Sequence, residues 1–219
     1  MTYADFQRAT PEGRMPRTVD EAARARRREH FLDVTRTLIE TRGYDRTSVQ
    51  DVLDEARASR GAFYHYFVSK QELLSAVVDS VAGTVAATLD PIATDPHHDA
   101  VAKLVAVFAE LSAPDLVRTL RVWSAEGNER VRQRARVAIV ARLTGPLTAI
   151  VAQGVAEGRF TVPDPPAAAH LLATLTQDLN DDLADPASSV DRTLRTHTWA
   201  VERLLGLPPG SLPGTGFPR

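Results

Sequence analysis

Apolar residues recur at intervals of three and four along most of the chain, the period of helices that bury one face. No stretch shows the strict alternation of a half-buried strand, and no hairpin signal occurs. From Asp20, read as an N-cap, Phe31, Val34, Leu38 and Ile39 share one face, and Gly43 is expected to end the helix. A short helix after Thr47 turns Val49, Val52, Leu53 and Ala56 inward, and a second spans about residues 59–66. Ser69 and Glu72 have capping-box spacing. They open a long helix with Leu73, Leu74, Val77, Val78, Val81 and Val85 as its stripe, expected to stop before Pro91. Further stripes fall within residues 101–111, 116–123, 131–155, 171–183 and 190–205, the third with an expected kink at Gly145-Pro146 and the last closed by Gly206. The pattern predicts an all-α protein of about nine helices.

Composition agrees with a packed, globular chain: 219 residues, 43% hydrophobic and 25% charged. Cysteine is absent, which removes disulfides, thiol nucleophiles and thiolate metal sites. No run of about 18 consecutive apolar residues occurs, and the N-terminus lacks the apolar core of a signal peptide. A cytoplasmic protein is therefore expected. The net charge of −2 conceals an asymmetry, because residues 8–28 hold seven arginines against Glu12, Asp20 and Glu21. A basic end on an acidic body suits a polyanionic partner, although a solvated tail carries the same charge.

The two short helices at residues 47–66 are too short to stand alone and must be held by packing. Joined at Ala56-Arg57-Ala58, they have the form of a helix-turn-helix, whose second helix enters the DNA major groove. On that helix Arg60, Gly61, Tyr64 and His65 fall at exposed positions, while Ala62, Phe63 and Phe67 face the supporting helices. Arginine can read a guanine edge, Ser, Tyr and His can reach phosphates, and glycine permits close approach. Tyr66 reads as core packing.

The run from Thr47 to Leu74 resembles the DNA-binding region of the tetracycline-repressor (TetR) family. The likeness lies in the threonine opening the second helix, in Ser59-x-Gly61-x-x-Tyr64-x-Tyr66-Phe67, and in Lys70-x-x-Leu73. It is specific over about residues 24–75. One departure is Arg57, where the family usually has glycine; a positive φ there would cost an arginine some strain. The resemblance implies a DNA-binding domain at 20–75 and a ligand-binding and dimerisation domain at 76–207; residues 1–19, punctuated by Pro11, Gly13 and Pro16 and without an apolar period, read as a flexible leader, and 208–219 as a flexible tail. It further implies that Thr47, Ser48, Ser59, Tyr64, His65 and Lys70 contact DNA, with Arg60 reading a base beside Gly61. Arg24, Arg26, Arg27 and Arg28 could touch phosphates or reach a minor groove as a flexible arm.

The same resemblance implies a homodimer through the last two helices on a palindromic double-stranded operator, released by a small-molecule effector. Phe108, Trp123, Glu126, Gln177, Asn180 and Asp181 are candidate effector contacts, with Asn128 and His170 as further polar anchors. Core packing explains Trp123 equally well. His97-His98-Asp99 lies in a loop where adjacent side chains diverge, and Asp99 is better read as a helix cap. No phosphate loop, nucleophile elbow or metal-ligand spacing occurs, so neither a cofactor, a metal nor an enzymatic role is expected. The alternative is a ligand-independent helical DNA-binding or adaptor protein.

Overall fold

A computed structural model describes residues 18–111, 122–123, 128–184 and 187–212. Among them the chain is helical throughout, without strands. The elements are α1 (Thr18–Arg42), α2 (Val49–Glu55), α3 (Arg60–Tyr64), α4 (Lys70–Thr94), α5 (Ala100–Leu111), α6 (Glu129–Ala156), α7 (Pro165–Ala184) and α8 (Val190–Leu205). The expected helix within 116–123 lies largely outside the described residues, apart from helical Val122 and Trp123.

Helix ends follow local chemistry. α1 begins at Thr18, so Asp20 lies inside it rather than capping it, and the chain leaves it at Gly43 with φ +83°. Ser48 caps α2 in a reciprocal box with Asp51. Ser69 caps α4 by accepting from the Glu72 amide, while the Glu72 carboxylate reaches back to the Val68 N–H at 2.6 Å. Asp99 accepts the Ala102 amide at 2.8 Å, the helix-cap role expected of it. α8 closes on Gly206 at φ +68°, with the Leu207 N–H returned to the Glu202 carbonyl.

Two expectations about ends are corrected. α4 does not stop before Pro91 but carries it in its last turn. The bond a proline cannot make there would go to the carbonyl of Ala87, an exposed residue that water can serve. The chain after residue 207 is not all loose tail, because Leu212 is buried and its N–H donates to the Glu202 carboxylate at 3.0 Å.

One continuous cluster of buried apolar side chains runs from Phe31 on α1 to Leu205 on α8 and Leu212 beyond it. α6 packs on both α4 and α7, α4 also packs on α1 and α5, and α8 covers α7. Two helices, α4 and α6, are long and apolar enough to cross a membrane by length and mean composition. Their buried stripes, including Leu73, Leu74, Val77 and Leu89 on α4 and Ile139, Leu143, Leu147 and Ile150 on α6, belong to the protein's own core. Gly154 matters to that core: a Cβ there would lie 2.1 Å from the Phe160 ring, which packs flat where a side chain would have been.

Candidate nucleic-acid interface

The helix-turn-helix is assembled around aromatic rings. Phe31 of α1 meets Phe63 of α3 and Phe67 beyond it nearly edge to face, at centroid distances of 5.8 and 6.1 Å. Tyr66 also packs on Phe31 at 5.8 Å, as its core reading requires. These contacts fix α3, which has only five residues and no stability of its own. Between α2 and α3 the chain turns through Arg57 at φ +48°, the left-handed geometry that favours glycine. The Ala58 N–H returns to the Leu53 carbonyl and the Arg57 N–H to Asp54, a Schellman closure of α2.

Locking Phe63 and Phe67 inward turns the opposite side of α3 outward. Arg60, Gly61, Tyr64 and His65 are exposed there, Tyr64 to 52% despite its large ring. A Cβ built on Gly61 would meet no atom within 4 Å, so nothing inside the protein requires a glycine at this exposed helical position. Ser59 caps α3 by accepting from the Ala62 amide at 3.2 Å, and Ser48 exchanges bonds with Asp51 at the start of α2. Those bonds to the Ser48 hydroxyl and amide hold the Asp51 carboxyl below its usual range.

Two expected DNA contacts are directed elsewhere. Thr47 is buried, and its hydroxyl donates to the Gly43 carbonyl at 2.8 Å. The Lys70 ammonium does not point outward: it donates to the Tyr44 carbonyl at 2.7 Å and lies 4.0 Å from the centroid of the Tyr44 ring. Burial lowers the Lys70 pKa, with Asp45 opposing the shift, and burial raises that of the Tyr44 phenol. The Tyr44 N–H in turn donates to the side-chain oxygen of Asn128 at 2.7 Å. Tyr44 thus joins three elements, and its role has no signal in the local sequence pattern.

Residues 31–77 match the family profile described as bacterial regulatory proteins, tetR family. That stretch carries a TetR-type DNA-binding domain. It is 45% identical over 53 residues to an uncharacterised HTH-type transcriptional regulator in the lacX 3′ region of Lactococcus lactis subsp. lactis, covering 24% of this chain and 27% of that protein. It is 36% identical over 87 residues to the HTH-type transcriptional repressor KstR2 of Rhodococcus jostii (strain RHA1), covering 36% of this chain and 43% of the repressor. In each case the match spans less than half of the relative. The fold is shared more widely: the structure of a SmeT–triclosan complex aligns with a TM-score of 0.63 at 22% identity, over 89% of this chain and 98% of that one. RolR in complex with resorcinol aligns with a TM-score of 0.62 at 23% identity, over 88% and 93%.

The arginines before Phe31 are not on a flexible arm. Arg24, Arg26, Arg27 and Arg28 are all within α1. Arg27 lies over the Phe31 ring at 5.7 Å and Arg28 over Phe67 at 5.4 Å. The candidate effector contacts are dispersed. Trp123 is buried, and its indole N–H has no hydrogen-bond partner among the described residues. Gln177 is buried, Phe108 and Asn180 are half-buried, and Glu126 lies outside the described residues.

Asp181 is not a free anchor. It pairs with Arg136 of α6 at 3.1 Å, and Asp178 pairs with the same guanidinium. Asn128 is also committed, accepting from Tyr44 and donating to the Val122 carbonyl at 3.0 Å, and His170 is exposed. Of these candidates only Asn128 lines a described cavity, beside Ile39, Arg42 and Glu129, and the two others described are lined elsewhere.

Proposed function

We propose that this regulator is a repressor that binds a palindromic operator as a homodimer and leaves it when a small molecule occupies the helical body. The observation that carries this reading is the outward row of Arg60, Gly61, Tyr64 and His65 on an α3 fixed by aromatic packing, with open space where a Gly61 side chain would be. Arg60 reads a base edge, while Ser48, Ser59, Tyr64 and His65 bind phosphates. Thr47 and Lys70 act from behind, holding the corner at Tyr44 on which this surface rests.

Two half-sites need two copies of α3 about 34 Å apart, so one chain is insufficient. The last two helices support the dimer: Leu171 on α7 and Val190 and Trp199 on α8 are at least half exposed. An effector that is small and largely apolar, with one or two polar groups, agrees with the triclosan and resorcinol held by proteins of the same fold. The regulator acts where the DNA is, in the cytoplasm.

The test is a mobility-shift titration on the protein's own upstream intergenic DNA against random duplex. Wild type should prefer the former, and Arg60→Ala should reduce that preference by about 1–3 kcal/mol while keeping the fold. An Arg60→Ala protein with unchanged preference removes the base-reading role. Trp199→Glu should yield monomers in sedimentation and weaken operator binding together. Compounds that raise thermal stability should lower operator affinity about 5- to 150-fold.

A further inference from the structure

α1 is longer than the unit it helps to build. It starts at Thr18, yet its first buried side chain among the described residues is Phe31. Residues 18–30 therefore project by about 20 Å at 1.5 Å per residue. Over 21–30 the side chains are exposed apart from half-buried Arg27.

The projecting segment is patterned. Arg24 and Arg28 stand seven and three residues before Phe31, on the face that Phe31, Thr35 and Leu38 bury farther along. Where the core stripe runs out, its face continues as arginine instead of leucine. Arg26, Glu29 and His30 fall on the opposite side, and Glu21 near the outer end of the Arg24 face. This face is aimed by contact, since the Arg28 guanidinium lies over Phe67, three residues beyond the end of α3. The exposed Tyr64 and His65 stand at that same end of α3. A guanidinium stacked by its face keeps its N–H donors at the edge, free to form a bidentate pair with an anion. Among the described residues no ion pair engages Arg24, Arg27 or Arg28.

We propose that Arg24 and Arg28 bind phosphates of the DNA strand bordering the groove that α3 enters, making the N-terminal half of α1 an additional contact element. This rests on the DNA-binding reading above. Positive charge on a rigid helix beside the recognition surface suits the phosphate backbone, whereas reaching bases in a minor groove needs an extended arm, which this segment is not.

The experiment uses the full chain, a duplex selected by the wild-type protein from a random-sequence library, and a scrambled duplex of equal length. Affinity is measured from 50 to 200 mM salt. Arg24→Gln with Arg28→Gln should flatten the slope of log affinity against log salt by about 2 on both duplexes, so that affinity falls about tenfold less across that range. Arg24→Gln alone, which removes no contact described within the fold, should flatten it by about 1. Arg26→Gln removes the same charge from the opposite face and should leave the slope unchanged. A double variant with the wild-type slope overturns the proposal, as does Arg26→Gln matching Arg24→Gln, which would indicate only the general field of the domain. If wild type selects and binds its duplex and Arg60 governs the preference, those failures strike this proposal alone. Wild type that binds no duplex overturns both readings.

Discussion

At Arg57 the backbone adopts a conformation at φ +48° that disfavours any residue with a Cβ. The turn is over-determined by the two hydrogen bonds that close α2 and by buried Leu53 and Ala56 just before it, so the arginine tolerates the strain. Arg57→Gly should therefore stabilise the protein by about 0.5–1 kcal/mol in chemical denaturation, part of the relieved strain being offset by the greater freedom of glycine when unfolded. Gly61 presents the converse. Helical and with open space around its missing side chain, it costs the fold about 1 kcal/mol relative to alanine. Gly61→Ala should raise the unfolding free energy by up to that amount while weakening operator binding. A variant that is more stable and binds DNA equally well would show that the glycine does not serve close approach.

At the level of elements, α2 and α3 depend on their caps and on α1. Asp51 belongs to the Ser48 box, and its lowered pKa gives a direction for the pH dependence of stability. A carboxyl whose folded pKa lies below its unfolded value contributes stability at pH above the ordinary value of 3.8, and that contribution disappears as pH falls through the folded pKa. The stability difference between wild type and Asp51→Asn should accordingly be present at pH 6 and narrow as the solution is taken below about 4. A difference that stays constant through that range would mean the charge on Asp51 contributes nothing. The nearby Arg42–Asp51 pair, at 3.7 Å and largely exposed, adds little.

For the whole molecule, the consequential contact is the one between Tyr44 and Asn128, 84 residues apart. Asn128 is buried at the start of α6, and its amide spans from the α1–α2 corner to the Val122 carbonyl. Lys70, the first residue of α4, holds the other side of the same peptide group through the Tyr44 carbonyl. The corner that carries α2 and α3 is thus tied by hydrogen bonds to the first residue of α4 and to the residue before α6. Any effector can change operator affinity only by its differential affinity for the two arrangements. Asn128→Ala leaves the Tyr44 N–H buried without a partner, which should cost about 1–3 kcal/mol. Exchange of the Tyr44 amide should quicken in this variant more than that of the α7 amides. Uniform quickening would indicate global destabilisation instead of a released corner.

The helical period, the caps at Ser59, Ser69 and Asp99, the inward set of Phe31, Phe63 and Phe67 and the outward set of Arg60, Gly61, Tyr64 and His65 were all legible from the chain, because each depends on neighbours within about four residues. The strain of a positive φ at Arg57 was legible too, from the glycine that the resembled family usually has at that position. What the pattern did not reveal depends on partners far apart in sequence. Lys70 has the spacing of a surface cation at a helix start, yet Tyr44, 26 residues away, supplies a carbonyl and a ring that draw it inward. Asp181 reads as a polar anchor until Arg136, 45 residues earlier, neutralises it. Asn128 reads as a helix cap or ligand contact until the Tyr44 amide claims its oxygen. Periodicity states which face of a helix is buried. The destination of a buried polar group is decided by whichever donor or acceptor the packed helices bring within 3 Å, and that is a property of the tertiary structure alone.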